Sequence, residues 1–241
     1  MLHIELQRNG GIAPGYLAVP ASEWGRAVIV LQDSDPDGDI RSICDRLAGE
    51  GLFALAPDLR RGETTVQPVD AEGQTMALSM QAAEQDMLSA VQHLLSTPGV
   101  QGPSVGALGF GFGGGMALRA AAVCPEIAPM VVYYCTLPGG RPDFSRIAGP
   151  VLGHFGTADV FISLRDAKAL ELDIRAAGIE VEFDKYTGAA HAFFNDTGRL
   201  GAYDPSAAER SWERSVSFLQ AALARSGMTH RSDSRLAHQF T

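Results

Sequence analysis

Gly109-Phe110-Gly111-Phe112-Gly113-Gly114-Gly115 is the stretch that decides the fold. The apolar run Val105–Phe110 leads into it, and a helical pattern through Met116-Ala117-Leu118 follows. The glycines therefore sit where a strand turns directly into a helix. Two chemistries use such a turn. Read as G-x-G-x-x-G at 109, 111 and 114, it is the dinucleotide fingerprint, with a pyrophosphate at the helix N-terminus. Read as G-x-nucleophile-x-G, glycines 109 and 113 flank a strained central residue that is presented to substrate. The first reading needs an acid about 20 residues on, at the end of the next strand. That strand ends Val132-Tyr133-Tyr134-Cys135 and supplies none. The fingerprint also belongs on the first strand of its unit, and several strands precede this one. The second reading is preferred, with Gly111 at the centre of the turn.

Outward from the turn, short apolar runs alternate with helical patterns. Ala27–Leu31, Leu52–Ala56, Met130–Cys135, Val151–Phe155 and Val181–Tyr186 read as strands. Ile40, Ile43, Cys44 and Leu47 recur at helical spacing between the first two, residues 74–97 form a long helix ended by Pro98-Gly99, and 163–177 form another. A closing amphipathic helix over about 205–225 carries Trp212, Val216, Leu219 and Ala222 or Leu223 on one face. Leu2–Leu6 and Tyr16–Val19 look like an antiparallel edge hairpin. Such alternation predicts an α/β fold, a mostly parallel central sheet with helices on both faces. One domain is expected over 1–225, without a large lid, followed by a polar, flexible tail over 226–241.

Downstream of the turn stand an acid and a histidine in loops that follow strands: Asp159 in Gly156-Thr157-Ala158-Asp159, and His191 in Gly188-Ala189-Ala190-His191-Ala192-Phe193. The order turn, acid, histidine is that of a hydrolase triad on this kind of sheet. The separations, 159 − 111 = 48 and 191 − 159 = 32, leave room for the intervening elements.

The segments Val28–Gln32, Ala54-Leu55-Ala56-Pro57-Asp58-Leu59, Gly109–Gly114, Pro150–Gly156 and His191-Ala192-Phe193 resemble those of the dienelactone hydrolase family, over roughly residues 10 to 223. The resemblance implies an α/β-hydrolase fold and hydrolysis of lactones or small esters without metal or cofactor. It matches Asp159 and His191 to the family's acid and base. Family members carry cysteine or serine where this chain has Gly111. The resemblance also matches Asp33 to a pocket carboxylate, although Asp-Pro-Asp-Gly after Ser34 departs from the family pattern, and it matches a basic residue to Arg60 or Arg61.

Glycine offers neither oxygen nor sulfur, so position 111 cannot form an acyl-enzyme. A site that has lost its activity, leaving a catalytically silent binding protein of the same fold, is one reading. The other uses what remains. His191 oriented by Asp159 is a general acid or base, and backbone N–H groups of Phe112 and the Asp33–Ser34 turn form an oxyanion hole. Non-covalent acid–base chemistry on a small lactone, ester or polyketide-like carbonyl compound is then expected, as hydrolysis, cyclisation, dehydration or isomerisation. Cys135, at the carboxyl edge of the sheet, is a candidate relocated nucleophile, though a free cysteine is more often a small buried apolar residue. Arg60 and Arg61 are candidates for a substrate carboxylate through forked hydrogen bonds, and Tyr134 and Phe193 for apolar pocket walls. His154, inside a strand, reads as packed rather than catalytic.

Bulk properties narrow the partners. A length of 241 residues suits one core. A formal net charge of −9 argues against nucleic acid or an anionic membrane as partner, and no apolar run approaches the roughly 20 residues of a bilayer span. The opening Met1-Leu2-His3-Ile4-Glu5-Leu6 lacks the basic start and apolar stretch of a signal peptide. Three cysteines without metal-like spacing fit a reducing cytoplasm. A cytoplasmic monomer or homodimer with a small-molecule substrate is expected.

Overall fold

A computed structural model describes residues 2–8, 11–32, 39–59, 74–137, 139–197 and 202–237. Among the described residues, eight strands and five α-helices follow one another as β1 (Leu2–Arg8), β2 (Gly11–Ala18), β3 (Gly25–Leu31), α1 (Asp39–Gly49), β4 (Phe53–Pro57), α2 (Gln74–Ser96), β5 (Val100–Phe110), α3 (Phe112–Ala121), β6 (Ile127–Tyr133), β7 (Val151–Gly156), α4 (Leu164–Ala176), β8 (Val181–Tyr186) and α5 (Pro205–Ala237). The sheet order is β1-β2-β4-β3-β5-β6-β7-β8. β2 runs antiparallel to β1 and β4, and the remaining pairs are parallel.

The runs without alternation are the inner strands. Every residue of β4, β6 and β7 is buried, as expected where helices cover both faces of a parallel sheet. The hydrophobic stripes land as their spacing predicts. Ile40, Ile43, Cys44 and Leu47 of α1 are buried, and so are Trp212, Val216, Leu219, Ala222 and Leu223 of α5. These two helices share one face of the sheet, where the Arg46 guanidinium lies 4.1 Å from the Trp212 ring centroid and 3.6 Å from the Glu209 carboxylate. A Cβ on Gly106 of β5 would touch Leu219 and Leu223 of α5, whereas one on Gly109, on the opposite face, would strike α3. α2 joins α3 there through an Arg119–Glu84 bond of 2.9 Å.

Several boundaries differ from the sequence reading; β2, for one, begins at Gly11 and not at Tyr16. β6 ends at Tyr133, because Tyr134 takes φ 34 and leaves the ladder before Cys135. β5 begins at Val100. α5 continues to Ala237, past the residue 225 at which the sequence reading closed that helix. Among the described residues, no helix is long and apolar enough to cross a membrane.

His154 is packed, as its place within a strand suggested. Its ring is wholly buried. Ser215 Oγ donates to Ser211 O at 2.7 Å, so it accepts from Tyr133 Oη at 2.8 Å and from His154 Nε2–H at 3.0 Å. His154 Nδ1 then accepts from Tyr186 Oη at 2.9 Å. A neutral ring, which burial favours, satisfies all of these bonds. The Asp184 carboxylate, 3.9 Å from Nδ1, therefore makes no ion pair with it. Burial, aided by the Arg214 charge, pushes the His154 pKa down to about 3. In the unfolded chain the same histidine titrates near 6.5. As pH falls the unfolded state takes the proton first, so stability is full above about pH 6.5 and is lost progressively toward pH 3. With a slope of about 1.4 kcal/mol per pH unit from this group, the chain is expected to lose about 2 kcal/mol between pH 6.5 and 5. Urea titrations across that range test this, and a His154→Gln variant with an equally steep pH slope would remove His154 as the source.

Candidate active site

β5 delivers the chain to Gly111, and α3 begins at Phe112. Gly111 has φ 54 and ψ −120, a conformation in which any side chain is strained by about 1–3 kcal/mol. Its N–H donates to Tyr133 O at 3.0 Å, and its carbonyl accepts from Thr136 N–H at 3.2 Å, so the turn is tied to the end of β6. The helix also lies hard against the end of β3: a Cβ on Gly113 would sit 2.3 Å from Leu31 O. This is the tight strand-to-helix turn that the glycine spacing predicted. Its central residue has no side chain. The backbone N–H of half-buried Phe112 is among the first of α3, where N–H groups have no partner within the helix and the dipole favours negative charge.

The acid and the histidine meet. His191 Nδ1 donates to Asp159 Oδ2 at 2.8 Å, while Asp159 Oδ1 accepts from the backbone N–H groups of Phe161 at 2.8 Å and Ile162 at 2.9 Å. The carboxylate is 1% exposed and the imidazole 25% exposed. A carboxylate so held fixes the Nδ1–H tautomer and leaves Nε2 as the proton acceptor.

Backbone lacing between the two loops makes this pairing possible. Thr157 N–H donates to Tyr186 O and Ala158 N–H to Ala189 O, each at 2.9 Å. Gly188 N–H donates to Thr157 Oγ1 at 2.9 Å. Gly156 lies beneath the crossing, where a Cβ would come within 2.2 Å of Ala189 O. Backbone cannot yield there, so a side chain at 156 would part the acid loop from the histidine loop.

The His191 ring lies between two aromatic rings, with centroids 5.0 Å away at Tyr134 and 5.1 Å away, edge-on, at Phe161. Tyr134 and the neighbour Ala192 both take positive φ, 34 and 60. Such strained backbone gathers at sites where function holds it in place.

Of the remaining predicted residues, two are buried. Cys135 is 4% exposed. A Cβ on Gly114 would lie 2.6 Å from Cys135 Cβ, so the cysteine packs under α3. Burial pushes its thiol up to about 12, and it makes no hydrogen bond to His191. A buried thiol that resists ionisation is a poor nucleophile. Phe193 is fully buried, with ring centroids 5.5 Å from Tyr134 and 5.1 Å from Tyr186. It packs in the core. Asp33, Ser34, Arg60 and Arg61 lie outside the described residues. Sequence reasoning overlooked Phe161 and Val160. Three apolar residues directly after the acid in a loop, Val160-Phe161-Ile162, were the available signal.

A groove of about 500 Å³ between β8 and α5 is lined by residues including Asp184, Lys185, Arg210 and Arg214. It borders neither His191 nor the turn. Among the described residues, no three His, Cys, Asp or Glu side chains converge as metal ligands.

The dienelactone hydrolase family model matches residues 13–223. A predicted carboxymethylenebutenolidase of Aquifex aeolicus and the protein usf of Aquifex pyrophilus are each 29% identical over 227 residues, covering 90% of this chain and 96% of the relative. Among solved structures, a predicted dienelactone hydrolase from Klebsiella pneumoniae superposes with TM-score 0.77 at 25% identity, covering 90% of this chain and 96% of that one. A dienelactone hydrolase-like promiscuous phosphotriesterase from metagenomic libraries shares the fold, with TM-score 0.76 at 22% identity, covering 92% and 98%.

Proposed function

Because the chain belongs to the dienelactone hydrolase family, we propose that it acts on a small lactone, ester or polyketide-like carbonyl compound by non-covalent acid–base chemistry, with Gly111 standing where a nucleophile would. The observation that carries this reading is the His191–Asp159 pair, joined at 2.8 Å, in a site whose strand–helix turn presents no side chain.

In the hydrolytic form, a water takes the place of the absent nucleophile. Its oxygen attacks the carbonyl carbon while His191 Nε2 accepts its proton, and Asp159 stabilises the imidazolium that forms. The carbonyl oxygen gathers negative charge and accepts from the Phe112 N–H, with Ser34 the proposed source of a second donor. The carbon–oxygen ester bond then breaks, and the imidazolium returns its proton to the leaving alkoxide. A substrate hydroxyl or acidic C–H in place of the water would turn the same pair to cyclisation, dehydration or isomerisation. Names of relatives such as carboxymethylenebutenolidase support a hydrolase.

The test is a panel of lactones and short esters followed by rapid-mixing kinetics and intact-mass spectrometry. Steady turnover without a burst and without an acylated chain is the expected result. An adduct on Cys135 would overturn the non-covalent mechanism. No turnover and no proton exchange across the panel would make the protein a silent binder.

A further inference from the structure

The residues that follow the catalytic acid are the most exposed of the large hydrophobic side chains in the described chain, Val160 at 86% and Phe161 at 77%. Single exposed apolar residues are ordinary, but adjacent ones at a functional site mark a contact surface. Phe161 is not loosely placed. The Phe161 N–H is held by Asp159 Oδ1 at 2.8 Å, and the neighbouring Ile162 N–H by the same oxygen at 2.9 Å. The Phe161 ring stands edge-on to His191 with its centroid 5.1 Å away. The buried carboxylate thus fixes the imidazole through one oxygen and the backbone of Phe161 and Ile162 through the other.

From this juxtaposition we infer that Phe161, with Val160 beside it, is a specificity-determining wall: the substrate carries an apolar alkyl or aryl substituent close to its reacting carbonyl, and this substituent covers the exposed ring. A carbonyl compound reached by His191 lies within hydrogen-bond distance of the imidazole, directly or through one water. With the Phe161 ring centroid 5.1 Å from that of His191, a substituent one to three carbons from that carbonyl is long enough to reach it. Covering it removes apolar surface from water on both partners. The inference rests on the assignment of His191 as the reacting base.

The test separates binding from turnover. A series of δ-lactams bearing alkyl chains of one to five carbons resembles lactones but resists hydrolysis, and its binding is measured by calorimetry. In the unaltered chain, affinity is expected to rise by up to about four-fold per methylene over the first carbons. In Phe161→Ser, and further in Val160→Ser/Phe161→Ser, that rise is expected to flatten toward none. Both side chains are exposed, and thermal melts verify that the variants fold. An equal rise per methylene in the unaltered chain and the double variant would overturn the wall, and so would a series that does not bind at all. Lactone turnover with no chain-length effect sinks this inference alone. A chain-length effect without turnover of any lactone or ester sinks the proposed reaction and leaves the wall standing.

Discussion

Replacing His191 by alanine is expected to lower turnover of lactones and esters by about 10²–10⁴-fold, the usual contribution of a positioned general base. The fold should survive the change. Asp159 loses one partner, but its carboxylate keeps both backbone N–H bonds, from Phe161 and Ile162. The loss should therefore stay within the roughly 1–3 kcal/mol of one unsatisfied buried group. Added imidazole should restore part of the rate by occupying the vacated volume. Asp159→Asn is the sharper companion. Its amide oxygen can accept the same two backbone bonds, while its NH₂ faces Nδ1 and forces the proton onto Nε2, the wrong tautomer for a base. Steady-state kcat for the three chains on one lactone measures the effect. Turnover unchanged in His191→Ala would remove the histidine from the mechanism.

Gly111→Cys should convert the site to covalent catalysis. The expected record is a burst of about one product per chain, followed by slower turnover, with an acyl mass on Cys at 111. The physical basis is the position. The residue follows β5, its N–H is anchored to Tyr133 O, and the helix N-terminus beginning at Phe112 favours a thiolate. The variant should also be less stable. A side chain at φ 54, ψ −120 costs about 1–3 kcal/mol, and each kcal/mol lowers Tm by about 2–4 °C in a domain of this size. A destabilised chain with no burst and no adduct would show that the turn does not aim its central residue at substrate.

The alternation of apolar runs and helical patterns was sufficient to place the inner strands, because residues buried on both faces leave a continuous apolar signature that depends on no partner. The stripes of α1 and α5 were legible for the same reason. The glycine spacing announced the turn, since only residues without a Cβ allow α3 to touch Leu31 O. Asp159 and His191 could be named from the loops they occupy, and the absence of a nucleophilic side chain at 111 is a fact of the sequence alone.

Tertiary structure alone decided the rest. That residues 32 apart in sequence meet at 2.8 Å depends on two loops laced backbone to backbone over Gly156. Cys135 and Phe193 looked like site residues by position in the chain. One is buried against α3 and the other among Tyr133, Tyr134 and Tyr186. Phe161, which no sequence pattern singled out, stands exposed against His191. Local sequence governs whether a segment is strand, helix or turn. The direction of a side chain beyond a strand's end follows from backbone dihedrals such as the positive φ of Tyr134 and Ala192, and those are set by packing against distant parts of the chain.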